Sequence, residues 1–177
     1  MLRRLAAILL VLAAPTLFAL QNAKKAAPKD GFRTELLADL DDVQSKIVAL
    51  ANAVPADKYS WRPGPDVRSI SEVFMHIAGT NYFLATFLGV KAPADLPDME
   101  KITDKARVVV ELQKSFDHLR AIVKSMPDAD LEKPVNFMGS PTTRRGLLIT
   151  ALNHMHEHLG QSIAYARMNR VVPPWSK

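Results

Sequence analysis

Apolar residues recur every three or four positions through four separate stretches of this chain, the spacing that turns one side of an α-helix toward a core. In the first stretch Phe32, Leu36, Leu37, Leu40, Val43, Ile47 and Leu50 form the stripe, predicting a helix that begins near Asp30 or Gly31 and is closed by Pro55. The second opens on Ser69-Ile70-Ser71-Glu72, the capping-box pattern in which hydroxyl and carboxylate each satisfy a free backbone amide, and is expected to run to about Leu88 and stop at Gly89. The third has Thr103 as its expected N-cap. It should run from Asp104 to about Met126, ahead of Pro127, with Val108, Leu112, Phe116, Leu119 and Val123 inward. The fourth, capped by Thr142 or Thr143, carries Leu148, Ala151, Leu152, Met155, Leu159, Ile163 and Ala166 on its apolar face. No segment of useful length alternates as a strand would, and no repeat is present. The prediction is an all-α fold, four amphipathic helices in an antiparallel bundle.

The connections differ in character. Pro55 to Pro65 holds three prolines with Tyr59 and Trp61 between them, which reads as an ordered loop whose aromatics cover the end of the core. Lys91 to Asp98 is a proline-containing loop. Pro127 to Pro141 is longer, with room for a helical turn at Asp128 to Leu131.

Ahead of the helices, Met1 to Arg4 is a short basic start and Leu5 to Leu20 is almost wholly apolar, too short for a comfortable membrane span and followed by a polar stretch. Residues 1–23 therefore read as a secretory signal peptide, 24–30 as a linker and 31–174 as one domain, with the mature protein exported to a periplasmic or extracellular space and holding no stable membrane insertion. The chain has no cysteine, which excludes disulfides and thiol nucleophiles. Its formal charge is +5, and loss of Arg3 and Arg4 would leave 21 basic against 18 acidic residues, or +3. So small an excess, scattered among acids, excludes a nucleic-acid partner as the basis of function.

The candidate chemistry lies in the fourth helix. Three of the five histidines fall in His154-Met155-His156-Glu157-His158. At about 100° per residue His154 and His158 project about 40° apart, one turn above the other, while His156 faces away. On the second helix His76 sits at the edge of the buried stripe, flanked by Thr80 and Phe83. His118 lies about 100° from the centre of its helix's stripe, a boundary or surface position. A His-x-x-x-His pair plus one histidine from a neighbouring helix supplies three neutral nitrogen donors, which suits a divalent ion such as zinc or nickel and leaves coordination positions open. The zincin pattern is absent because Gly160 stands where its second histidine belongs. No glutamate has a histidine three residues later, which excludes the di-iron carboxylate motif, and c-type haem attachment lacks its cysteines. Core histidines bonded to backbone or to one another remain the competing account of the same residues.

The run Tyr59-Ser-Trp61-Arg-Pro63, then Arg68-Ser69-Ile70-Ser71-Glu72 leading into His76-Ile77-Ala78, with His154-x-x-x-His158-x-Gly160-Gln161 and Tyr165-x-Arg167-Met168-Asn169 running to Val172-Pro173-Pro174, resembles the DinB-like proteins over residues 31 to 174. The resemblance implies a four-helix bundle with a divalent metal held by His76, His154 and His158. In many members the last motif reads His-x-x-His-His-Arg-Gly-Gln; here Glu157 and Leu159 replace the additional histidine and the arginine. It implies a small-molecule transferase or hydrolase working through metal-bound water or a low-molecular-weight thiol such as bacillithiol, mycothiol or glutathione. Thr80, Phe83 and Tyr165, which share the ligand faces, are the expected pocket lining. Two rival readings stand beside this one: a non-catalytic bundle that captures a metal or ligand, and a structural bundle that forms a homodimer through an apolar surface.

Overall fold

A computed structural model describes residues 31–176. The expected signal peptide and the linker lie outside the described residues. Four helices make up the bundle: α1 (Phe32–Ala53), α2 (Ile70–Phe87), α3 (Lys105–Ser125) and α4 (Arg144–Met168). Among the described residues no helix is long and apolar enough to cross a membrane.

Local chemistry sets the helix ends. At the head of α2 the Glu72 amide donates to Ser69 Oγ at 3.3 Å and the Ser69 amide donates to Glu72 Oε2 at 2.6 Å, completing the expected capping box. Thr143 caps α4 by accepting from the Gly146 amide. For α3 the cap is Asp104 rather than Thr103: its carboxylate accepts from the Arg107 amide at 2.9 Å, and a charged acceptor suits the positive end of a helix dipole. Beyond α2, Gly89 takes φ +87, the left-handed conformation that glycine adopts without strain.

The arrangement of the helices departs from a simple antiparallel bundle. α1 packs on α3 and α4, and α2 packs on α3 and α4, so α1 stands diagonally opposite α2 and α3 opposite α4. α1 and α3 are antiparallel. Arg33 at the start of α1 donates to Met126 O just past α3, and Lys105 at the start of α3 donates to Asn52 O and Val54 O at the end of α1. α2 and α4 are also antiparallel, with Trp61 just before α2 against Tyr165 late in α4, and Phe87 at the end of α2 against Phe137 just before α4. α2 and α3, however, run parallel: Asn81 bonds Ser115 and Tyr82 stacks on His118 at matching heights. Parallel neighbours need a connection that returns along the helix length, about 27 Å for an 18-residue helix. Residues 88–104 make that return, with a 3₁₀ turn at Met99–Lys101 that buries Met99 and leads to buried Ile102.

The connection after α3 contains the anticipated helical turn, at Asp128–Glu132, and then an antiparallel hairpin that the sequence did not suggest: β1 (Pro134–Phe137) pairs with β2 (Ser140–Thr143). Its two-residue turn places Met138 at φ 52 and Gly139 at φ 89, while Asn136 Oδ1 accepts from the Gly139 amide. The aromatic loop before α2 is ordered as expected. Tyr59 is buried and donates its hydroxyl to Ala51 O at 2.7 Å, and Trp61 packs on the margin of the core.

Candidate metal centre

Antiparallel packing of α2 on α4 brings the second turn of α2 level with the middle of α4. One ring nitrogen from each of His76, His154 and His158 falls in a group spanning no more than 4.8 Å. The His154 and His76 Nε2 atoms are 3.2 Å apart. Two nitrogens bound at about 2.1 Å to one tetrahedral ion would be roughly 3.4 Å apart, so this spacing already suits a shared cation. The rings meet at steep angles, 83° between His76 and His158 and 71° between His154 and His158, as donors converging from different directions do.

Second partners orient the rings. Glu100, on the return connection, lies 3.1 Å from His76 Nδ1. An ionised carboxylate only accepts, so Nδ1 carries the hydrogen and Nε2 presents a lone pair. The same carboxylate is gripped by Arg68, whose Nε lies 3.2 Å from both oxygens. His158 Nδ1 donates to Gln161 Oε1 at 2.7 Å, and Gln161 Nε2 donates to the Tyr165 hydroxyl at 3.0 Å. Tyr165 is fixed in turn by Trp61, edge to face at 5.5 Å. Imidazoles tied at Nδ1 to a carboxylate or carbonyl are the usual support for metal-binding histidines.

The electrostatics disfavour the charged forms of His154 and His76. His154 is lowered to about 4, first because burial disfavours its charged form and then through the neighbouring His158, His76 and Arg68 charges. His76 is also lowered, by burial and then by Arg68, with Glu100 partly opposing. With Nδ1 of His76 and of His158 turned outward to Glu100 and Gln161, their Nε2 atoms are left to face His154, whose own Nε2 lies 3.2 Å from that of His76. His154 Nδ1, buried without a partner among the described residues, takes no part in this set. A divalent ion answers three nitrogens at once. The donor set therefore fits a metal.

The other named residues separate. Thr80 and Phe83 border a groove of about 500 Å³ beside His76, in which His76, Gly79, Thr80 and Phe83 of α2 face Met99 and Glu100. Tyr165 does not line this groove; it is buried, and reaches the centre only through Gln161. His156 is exposed and bonds Leu152 O, as its helical phase requires. His118 is half-buried against Tyr82, away from the three. Sequence reasoning assigned no role to Glu100, Arg68 or Gln161. Gln161, three residues after His158, was accessible from helical spacing; Glu100 lies 24 positions from His76 in an irregular segment and carried no local signal.

The DinB superfamily profile matches residues 39–162. This chain belongs to the DinB superfamily. Solved DinB-like structures share its fold. One from Bacillus cereus is 18% identical with a TM-score of 0.72, covering 80% of this chain and 95% of its own. YjoA of Bacillus subtilis, a DinB-like protein, is 19% identical at 0.61, covering 77% and 92%. YfiT of the same organism, described as a probable metal-dependent hydrolase with an unusual four-helix bundle topology, is 13% identical at 0.64, covering 82% and 94%. At these identities the likeness establishes the fold. No curated protein sequence matches the chain.

Proposed function

We propose that this DinB-superfamily protein is an exported, divalent-metal-dependent hydrolase of small molecules, with His76, His154 and His158 holding zinc or nickel. The observation that carries the reading is the convergence of three imidazoles whose outer nitrogens, on His76 and His158, are already committed to Glu100 and Gln161. A cation bound there would act as a Lewis acid and lower the pKa of water toward neutrality. The protein's own part is to disfavour protonation of His76 and His154, fix the His76 and His158 rings through their Nδ1 hydrogens and leave one side open to the groove. Likeness in fold to YfiT, described as a probable metal-dependent hydrolase, favours hydrolysis over transfer. The basic start and apolar run of residues 1–20 support export.

Elemental analysis of protein purified without added metal tests the site: about one divalent ion per chain is expected, lost in both His76→Ala and His154→Ala. Unchanged content in both variants would remove the centre. Activated esters and amides, assayed beside thiol acceptors, then test the reaction. Turnover only with thiols would replace hydrolysis by transfer, and silence in both would favour the non-catalytic binder.

A further inference from the structure

The groove beside His76 contains a residue that packing does not explain. Gly79 lies inside α2, where glycine weakens a helix relative to alanine, and its backbone shows no positive φ that would call for glycine. A Cβ built there would approach nothing closer than Met99 Cβ and Cγ, at 3.7 Å, an ordinary contact. A methyl there would touch Met99, and a larger side chain would project into the groove that residue 79 lines. One turn further on, Phe83 is 47% exposed. Its ring meets Phe87 edge to face at 5.1 Å, and Phe87 meets Phe137 in the same way, so an apolar wall extends from the histidines toward the hairpin. Among the described residues no lysine or arginine lines the groove; apart from His76, its ionisable groups are the carboxylates Asp98 and Glu100.

We propose that this groove is the apolar-tail subsite of the metal centre, receiving an uncharged alkyl or acyl chain of a small substrate whose polar head sits at the three histidines. The inference rests on the metal reading above and specifies the substrate class for it. A volume of about 500 Å³ is that of a small-molecule site. Both rim carboxylates are paired, Asp98 with Lys101 and Glu100 with Arg68, so the groove's described lining offers no unpaired charge to a charged tail, and the wall of Phe83 and Met99 removes methylenes from water. Glycine at position 79 lets the chain lie against the helix backbone.

Straight-chain hydroxamic acids separate head from tail, because the hydroxamate group chelates a divalent ion whatever chain it bears. Titration calorimetry on the zinc-loaded protein should find octanohydroxamic acid bound about 50-fold tighter than acetohydroxamic acid, the gain for six additional methylenes half removed from water. That ratio is the readout. Gly79→Leu and Phe83→Ser should each cut it to less than about fivefold, with thermal melts confirming that both variants fold. Gly79→Ala, expected to melt no lower than wild type, should lower the ratio partway and serves if the leucine variant fails to fold. A ratio near one in wild type, or one that neither Phe83→Ser nor any folded Gly79 variant alters, overturns the subsite while the metal centre stands. A dimer that Phe83→Ser converts to monomer with the ratio intact also overturns it, in favour of self-association. Protein that takes up no zinc and ignores acetohydroxamic acid overturns the metal reading, and this inference with it.

Discussion

Helices α1 and α3 meet through continuous apolar packing, with Val43, Ile47 and Leu50 on one and Leu112, Phe116 and Leu119 on the other all buried in the common core. Helices α2 and α4, also antiparallel, meet around three imidazoles. The polar contacts of the first pair lie at its margins: Arg33 and Lys105 donate to carbonyls at helix C-termini, and Arg120 binds Asp41 and Gln44 across the helices. Cations placed there complement helix dipoles and leave the core dry. In the second pair the polar groups lie within the interface, and burial depresses the basicity of His154 and His76. One half of the bundle is built to hold the fold, the other to keep an interrupted interface in register.

That contrast can be broken from either side. The largest effect is expected from Leu112→Ala, which empties part of the α1/α3 core and should lower stability by about 3 kcal/mol in denaturant unfolding, with metal content per folded chain unchanged. Next is acid. His154 has its folded pKa depressed to about 4, below its ordinary 6.5, so the unfolded chain binds the proton more readily. The stability of metal-stripped protein should be fully present above about pH 6.5 and fall by roughly 2 kcal/mol as the pH drops through about 4. His154→Asn should flatten that slope, and a slope unaltered by the substitution would place the titration elsewhere. Third, Glu100→Ala frees the His76 ring and should weaken zinc binding about tenfold in competition with a chelating dye, melting temperature of the metal-free protein changing little. Smallest is Lys105→Ala, which uncaps α1 and should cost about 1 kcal/mol without altering zinc affinity.

The four helices were legible because each has a single apolar face, and the Ser69 and Thr143 caps because their side chains bond within a few residues. Helix direction was not. The three long connections resemble one another in length and in their proline content, and only packing decides which of them returns along the bundle. The hairpin was hidden by Pro134 and Pro141 within its strands and by Met138, a side chain uncommon at positive φ. At the centre, one helical turn made the His154 and His158 pair readable, and the margin of an apolar stripe made His76 a candidate. Glu100 escaped because its segment obeys no period. Tyr165 was given the right face and the wrong task, since a helical wheel does not reveal that Gln161 stands between it and His158.

Because α2 and α3 run in the same direction, the chain must lay residues 88–104 across the flank of the histidines. That stretch is anchored by Met99 and Ile102 but is otherwise free of the periodic demands that bind the helices. A protein laid out in this way can exchange the groups that confront its histidines by rewriting a dozen or so letters of one strap, and leave the bundle's interior untouched.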